Sequence, residues 1–119
     1  MPTRDPNDAR TSLLQGTLDL LILRTLVLGP QHGQGIARAI QRQSEDVFLV
    51  DHGSLYLALQ RLEENGWVDP KWGISDNNRR ARFYKLTPSG RRRLTDKTAE
   101  WSRIAAAMAR ILNPDESEA

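Results

Sequence analysis

Seven cationic side chains, Arg79, Arg80, Arg82, Lys85, Arg91, Arg92 and Arg93, fall between Asn77 and Leu94 with no Asp or Glu among them. The whole chain carries 17 Lys and Arg against 15 Asp and Glu, a net charge of +2, so this segment is a local positive field and not a share of a general excess. A guanidinium group offers a planar fork of donors that matches phosphate and carboxylate oxygens. Clustered on one stretch, such groups read either as a solvated face or as the electrostatic footprint of a polyanion site. Other chemistry has few candidates. With no cysteine there is no thiolate nucleophile, no thiolate zinc ligand and no disulfide. His32 and His52 stand without a nearby carboxylate pattern, and no set of nucleophile, base and orienter can be assembled around them. The expectation is a protein without catalytic residues, metal or cofactor, and His52 is a surface or phosphate-facing residue.

What the arginines can do depends on the elements that carry them. Asp51 is a credible helix N-cap, and Asn65-Gly66 supplies a left-handed stop. Between them Leu55, Ala58, Leu59 and Leu62 form a core stripe, which turns Leu57, Gln60, Arg61 and Glu64 outward and leaves Ser54 and Tyr56 at the flanks. Gln and Arg side chains can read base edges, Ser and Tyr hydroxyls can bond phosphate oxygens, and Leu57 can meet a thymine methyl. The same face also suits an ordinary amphipathic surface helix. Beyond it, Trp67 to Trp72 and Arg82 to Thr87 are two strand-like runs joined through Gly73 and Ser75-Asp76-Asn77-Asn78, a hairpin whose first strand is marked as an edge by Pro70.

Upstream, Leu14, Leu18, Leu21, Ile22 and Leu26 recur at helical spacing, and Leu13, Leu20, Leu23 and Val27 widen the stripe nearly all round, up to Gly29-Pro30. A helix so apolar in so small a chain is expected to meet a second subunit on one side. Gly33 to Gln43 reads as a shorter helix with Ile36, Ala37 and Ile40 inside and Arg38, Gln41 and Arg42 outside, and Val47 to Val50 as a short strand. Two helices, a third with a polar face and then a hairpin bearing Arg79, Arg80 and Arg82 make the winged helix-turn-helix order. In that arrangement the third helix enters the major groove of DNA and the wing reaches phosphates or the minor groove. The fold class predicted is mainly α with a small β-hairpin, a winged helix-turn-helix plus a C-terminal dimerisation helix.

That last helix opens with Thr87 as N-cap and Pro88 at the first helical position. Its Leu94, Trp101, Ile104, Ala105, Met108, Ile111 and Leu112 recur near heptad spacing and need a partner, expected to be the symmetry mate together with Leu18 or Ile22 of the first helix. Arg91, Arg92 and Arg93 oppose the helix dipole, so either nearby DNA phosphates or chance composition accounts for them. The layout is a flexible arm over 1–12, a winged helix domain over 13–87, the dimerisation helix over 88–113 and a frayed acidic tail over 114–119. With 39% hydrophobic and 27% charged residues the chain is of globular composition. No apolar run approaches the roughly 18 residues of a membrane span, and the first ten residues are polar where a secretory signal is apolar, so the expected location is cytoplasmic, off the membrane.

Gly53-Ser54-Leu55-Tyr56, Leu59, Arg61-Leu62-Glu63, Gly66 and the run Arg79-Arg80-Ala81-Arg82-Phe83-Tyr84-Lys85-Leu86-Thr87 resemble the PadR family of bacterial transcriptional regulators. His32-Gly33 and Ile36 match the start of the second helix, Thr87-Pro88-Ser89-Gly90 opens the last, and the likeness runs from about Leu14 to Leu112. A single helix after the wing resembles the shorter of the two PadR subgroups. Departures stand at Gln34, where the family often has an aromatic residue, and at Asn78-Arg79, where it commonly has a glycine. The resemblance implies a homodimeric repressor that releases its operator when a small molecule or another signal arrives. Double-stranded DNA contacts are then expected from Ser54, Tyr56, Leu57, Gln60, Arg61, Arg79, Arg80, Arg82 and Lys85. Trp101-Ser102-Arg103 is similar to a segment of PadR-like multidrug regulators in which paired tryptophans stack planar ligands. Trp101 therefore reads either as packing in the stripe or as the contact for a small planar effector. The competing function is a winged helix that binds protein and not DNA.

Overall fold

The computed structural model describes the backbone of residues 6–113 and the side chains of residues 16–113. Eight elements follow in order: α1 (Pro6–Thr25), a 3-10 turn η1 (Leu26–Leu28), β1 (Gln31–His32), α2 (Gly33–Gln43), α3 (His52–Glu64), β2 (Val68–Ile74), β3 (Arg80–Leu86) and α4 (Pro88–Leu112). The three strands form one antiparallel sheet in the order β1-β3-β2. The mainly helical winged helix-turn-helix architecture is as the sequence predicts.

One core joins these layers. Leu18, Ile22, Leu23 and Leu26 from the first helical segment meet Ile36 and Ile40 of α2, the α3 stripe Leu55, Ala58, Leu59 and Leu62, and Val68, Tyr84, Leu86 and Leu94. The i, i+3, i+4, i+7 spacing in α3 delivers one buried face, and truncating a fully buried member such as Leu59 to Ala would cost roughly 2–5 kcal/mol. The Asp51 carboxylate accepts the amides of Gly53 at 2.9 Å and Ser54 at 3.4 Å and so caps α3. At the other end Gly66 takes φ +73° while the amides of Gly66 and Trp67 donate back to Glu63 and Leu62, a Schellman stop that aims the chain into β2.

Several expectations about elements are corrected. Helix α1 begins at Pro6, inside the segment read as a flexible arm, because proline at the first helical position needs no amide partner. Of that arm residues 1–5, and with them the tail 114–119, lie outside the described residues. Val47 to Val50 pairs with no strand; it is the irregular approach to α3, and the third strand is instead the two-residue β1, whose Gln31 and His32 pair with Tyr84 and Phe83. Strands β2 and β3 run on to Ile74 and begin at Arg80, so the wing is longer and its loop shorter than the sequence suggests. Within the loop Ser75 N–H donates to Arg79 O, and Asn78 takes φ +59° to close the turn.

Helix α4 is locked to this body at its first turn. The Thr87 hydroxyl accepts the Gly90 amide at 2.9 Å and donates to Gly66 O at 2.7 Å, which ties the α4 cap to the stop of α3. Gly90 packs directly on the Trp67 carbonyl, where no β-carbon would fit. Most of the rest of α4 extends away from the core. Trp101, Ile104, Met108, Ile111 and Leu112 are each at least half exposed within the protomer.

Candidate nucleic-acid interface

Alternation along the wing decides which side chains share a face. The register pairs Val68 with Leu86, Pro70 with Tyr84, Trp72 with Arg82 and Ile74 with Arg80. Val68, Leu86 and Tyr84 are buried, so this is the face that looks inward over the helices, and towards the wing tip it carries Trp72, Arg82, Ile74 and Arg80. Between it and the starts of α2 and α3 lies an open groove of about 670 Å³ whose lining includes Gly33, Gln34, Tyr56, Trp72, Arg80 and Arg82.

Tyr56 and Leu57 present more than half of their surface to solvent, and Gln60 is exposed with its amide 3.3 Å from Glu64 Oε1 one turn on. Ser54 is half-buried at the flank and its hydroxyl donates to Asp51 Oδ2. That hydroxyl bond, with the two amide bonds, holds the Asp51 carboxyl below its ordinary pKa. On the wing, the Arg80 guanidinium lies 4.6 Å from the centre of the Trp72 ring, which stiffens a long side chain while leaving its donors outward. Among the described residues neither Arg79 nor Arg80 pairs with a carboxylate, and both are exposed.

Three expected contacts are placed differently. Arg61 turns back from the exposed face of α3, and its Nη2 donates to Asp19 Oδ1 of α1 at 2.8 Å. Arg82 lies on the groove face but its Nη2 is 2.6 Å from Glu63 Oε1 of α3, and its guanidinium sits 5.9 Å from the Tyr84 ring centre. Burial raises the Tyr84 pKa above its ordinary value. Lys85 pairs across the sheet with Asp69 on the outer face, away from the groove, because it is one residue out of phase with Tyr84 and Leu86.

Near α4, Arg93 stacks 4.4 Å over the Trp67 ring, which gives it a role in packing, while Arg91 and Arg92 are exposed. His52 is exposed at the start of α3, and His32 stacks on Phe83 with its Nδ1 2.7 Å from Gln31 Oε1. The dimer contacts expected from Leu18, Ile22 and Leu94 are corrected: these side chains are 8%, 0% and 9% exposed and are consumed by the protomer's own core. Trp72, Glu63 and Asp19 were not legible as part of this surface. Trp72 is signalled only by its register opposite Arg82, and the two acids only by contacts far along the chain.

A recognition helix, a preceding short helix and a wing whose arginines face a shared groove define a winged helix-turn-helix regulator. The chain belongs to the transcriptional regulator PadR-like family, whose model matches residues 22–96. It is thus a member of a family of transcriptional regulators and not of enzymes. Among solved structures it is similar to a PadR family transcription regulator from Clostridium difficile, at 30% identity and a TM-score of 0.67, covering 81% of this chain and 98% of that one. It is also similar to a transcriptional regulator from Clostridium thermocellum, at 26% identity and a TM-score of 0.72, covering 86% and 95%. An uncharacterized protein of Lysinibacillus sphaericus is 28% identical over 96 residues, 80% of this chain and 87% of that protein.

Proposed function

We propose that this regulator binds double-stranded DNA as a homodimer, with α3 in the major groove and the wing tip against the flanking backbone. The observation that carries the reading is the groove that brings the exposed Tyr56 of α3 together with Arg79 and Arg80, cations with no carboxylate partner among the described residues, while Leu57 and Gln60 are exposed on the same helix. Dimerisation is supported by the apolar side chains of α4, since Trp101, Ile104, Met108 and Ile111 follow heptad spacing and each is at least half exposed. Two-fold symmetry then demands an inverted-repeat operator, with half-sites about one helical turn, roughly 34 Å, apart.

The regulator acts as a repressor in the cytoplasm and leaves its operator when an effector binds. A cleft of about 280 Å³ between α1 and α4, lined in part by Leu20, Leu23, Trp67, Arg93 and Trp101, supports a small planar effector at Trp101. Such a ligand works only by its different affinity for the DNA-competent and incompetent arrangements, and tenfold release requires about 1.4 kcal/mol of coupling.

Fluorescence anisotropy of duplexes from the promoter region of its own gene, titrated across a salt series, tests the reading. Affinity should fall steeply with salt. Arg79→Ala and Arg80→Ala should each reduce the log–log slope by about 0.9, the release of one phosphate contact. Absence of binding at low salt would favour a winged helix that engages protein.

A further inference from the structure

Arginines on a wing are ordinarily assigned to phosphates, and Arg82 shares a face with Arg80. Its surroundings differ. Arg80 rests on an exposed indole with no carboxylate partner among the described residues, whereas Arg82 is held on two sides by its own protein: Glu63 Oε1 at 2.6 Å and the ring of Tyr84, itself 5% exposed and part of the core. Glu63 stands on the last turn of α3, and Leu62 beside it is completely buried, so the carboxylate has a fixed base. The pair spans 19 residues and joins the C-terminal half of α3 to the middle of β3, near the level at which the wing leaves the core. A contact at that level sets the angle between wing and recognition helix. A contact at the tip would not.

We propose that Glu63 is a positioning residue for DNA binding, which fixes the wing over α3 through Arg82, and that Arg82 is a strut and not a phosphate contact. The inference rests on the DNA-binding reading above. It carries a sign opposite to plain electrostatics. Removing a carboxylate from a DNA-facing surface should tighten binding by reducing repulsion, while loosening a strut should weaken it because the wing must then be ordered on the duplex. A part-exposed ion pair is worth about 0.2–1 kcal/mol, so the loss expected is up to about fivefold.

The test compares wild type, Glu63→Gln, Glu63→Asp and Arg82→Lys by anisotropy on a promoter-region duplex across a salt series, with circular dichroism to confirm folding. Glu63→Gln should bind two- to fivefold more weakly with an unchanged salt slope. Arg82→Lys, which keeps the charge but loses the planar fork, should show a similar loss. If Glu63→Gln does not fold, Glu63→Asp, which retracts the carboxylate by one methylene and keeps its charge, decides the question by the same criterion. Equal or tighter binding overturns the inference, as does a slope steepened by about one, which would mean that Glu63 merely held Arg82 back from a phosphate. A wild-type chain that binds while the variants match it leaves the DNA reading intact and removes only this one. A wild-type chain that binds no duplex overturns both.

Discussion

At the scale of single residues, the arginines of this surface divide into those paired with a carboxylate and those without one. Arg61 and Arg82 are paired with Asp19 and Glu63, Arg80 and Arg93 rest on the indoles of Trp72 and Trp67, and neither Arg79 nor Arg80 has an acidic partner among the described residues. Asp51 illustrates a residue whose ionisation serves the fold. Its hydrogen bonds to the Ser54 hydroxyl and to the amides of Ser54 and Gly53 favour the carboxylate, and its folded pKa lies below the ordinary value. The stabilisation is therefore complete above the unfolded value of about 4, and is lost as the pH falls through the folded one. Asp51→Ala should cost about 1 kcal/mol in urea denaturation at neutral pH. Asp51→Asn should retain most of the cap and lose its share of the acid dependence. The cap was legible because it is local, three residues from donor to acceptor. The partners of Arg61 and Arg82 lie 42 and 19 residues away, and nothing in the sequence around either arginine marks them.

Elements were legible in proportion to how far their own sequence determines them. Helix α3 could be bounded because its cap, its stripe and its Asn65-Gly66 stop all lie within it. The two-residue β1 has no signature of its own and exists because Tyr84 and Phe83 present a free edge to Gln31 and His32. Val47 to Val50 has strand propensity but joins no strand of the sheet among the described residues and remains irregular, a case of context overriding propensity. The seam between wing and α4 is a property of backbone contact. Gly90→Ala should drive a β-carbon into the Trp67 carbonyl and towards Leu86 Cδ1, 2.9 Å away, and destabilise the fold by roughly 1–3 kcal/mol in thermal or urea melts. A substitution that left stability unchanged would mean that α4 is not seated there.

For the molecule as a whole, the decisive feature is that α4 carries a stripe it cannot bury. The sequence assigned Leu18, Ile22 and Leu94 to the same partner surface, and burial removes them from it, because a monomer of this size draws those three into its own core before any partner arrives. What is left is confined to the distal part of α4. Met108→Glu, placing a charge on a half-exposed position of that stripe, should shift the chain towards monomer in light scattering while leaving helical content intact. On the proposed dimeric reading it should also weaken operator binding far more than any single wing substitution, since one winged helix alone would then hold only half a site.

The most direct test of a dimeric reader built on α3 and the wing is hydroxyl-radical footprinting of the wild-type protein on its promoter-region DNA. Two related protected patches should appear, centred about one helical turn apart, with cleavage suppressed on the flanking backbone reached by Arg79 and Arg80. A single unpaired patch, or no protection at low salt, would contradict the account.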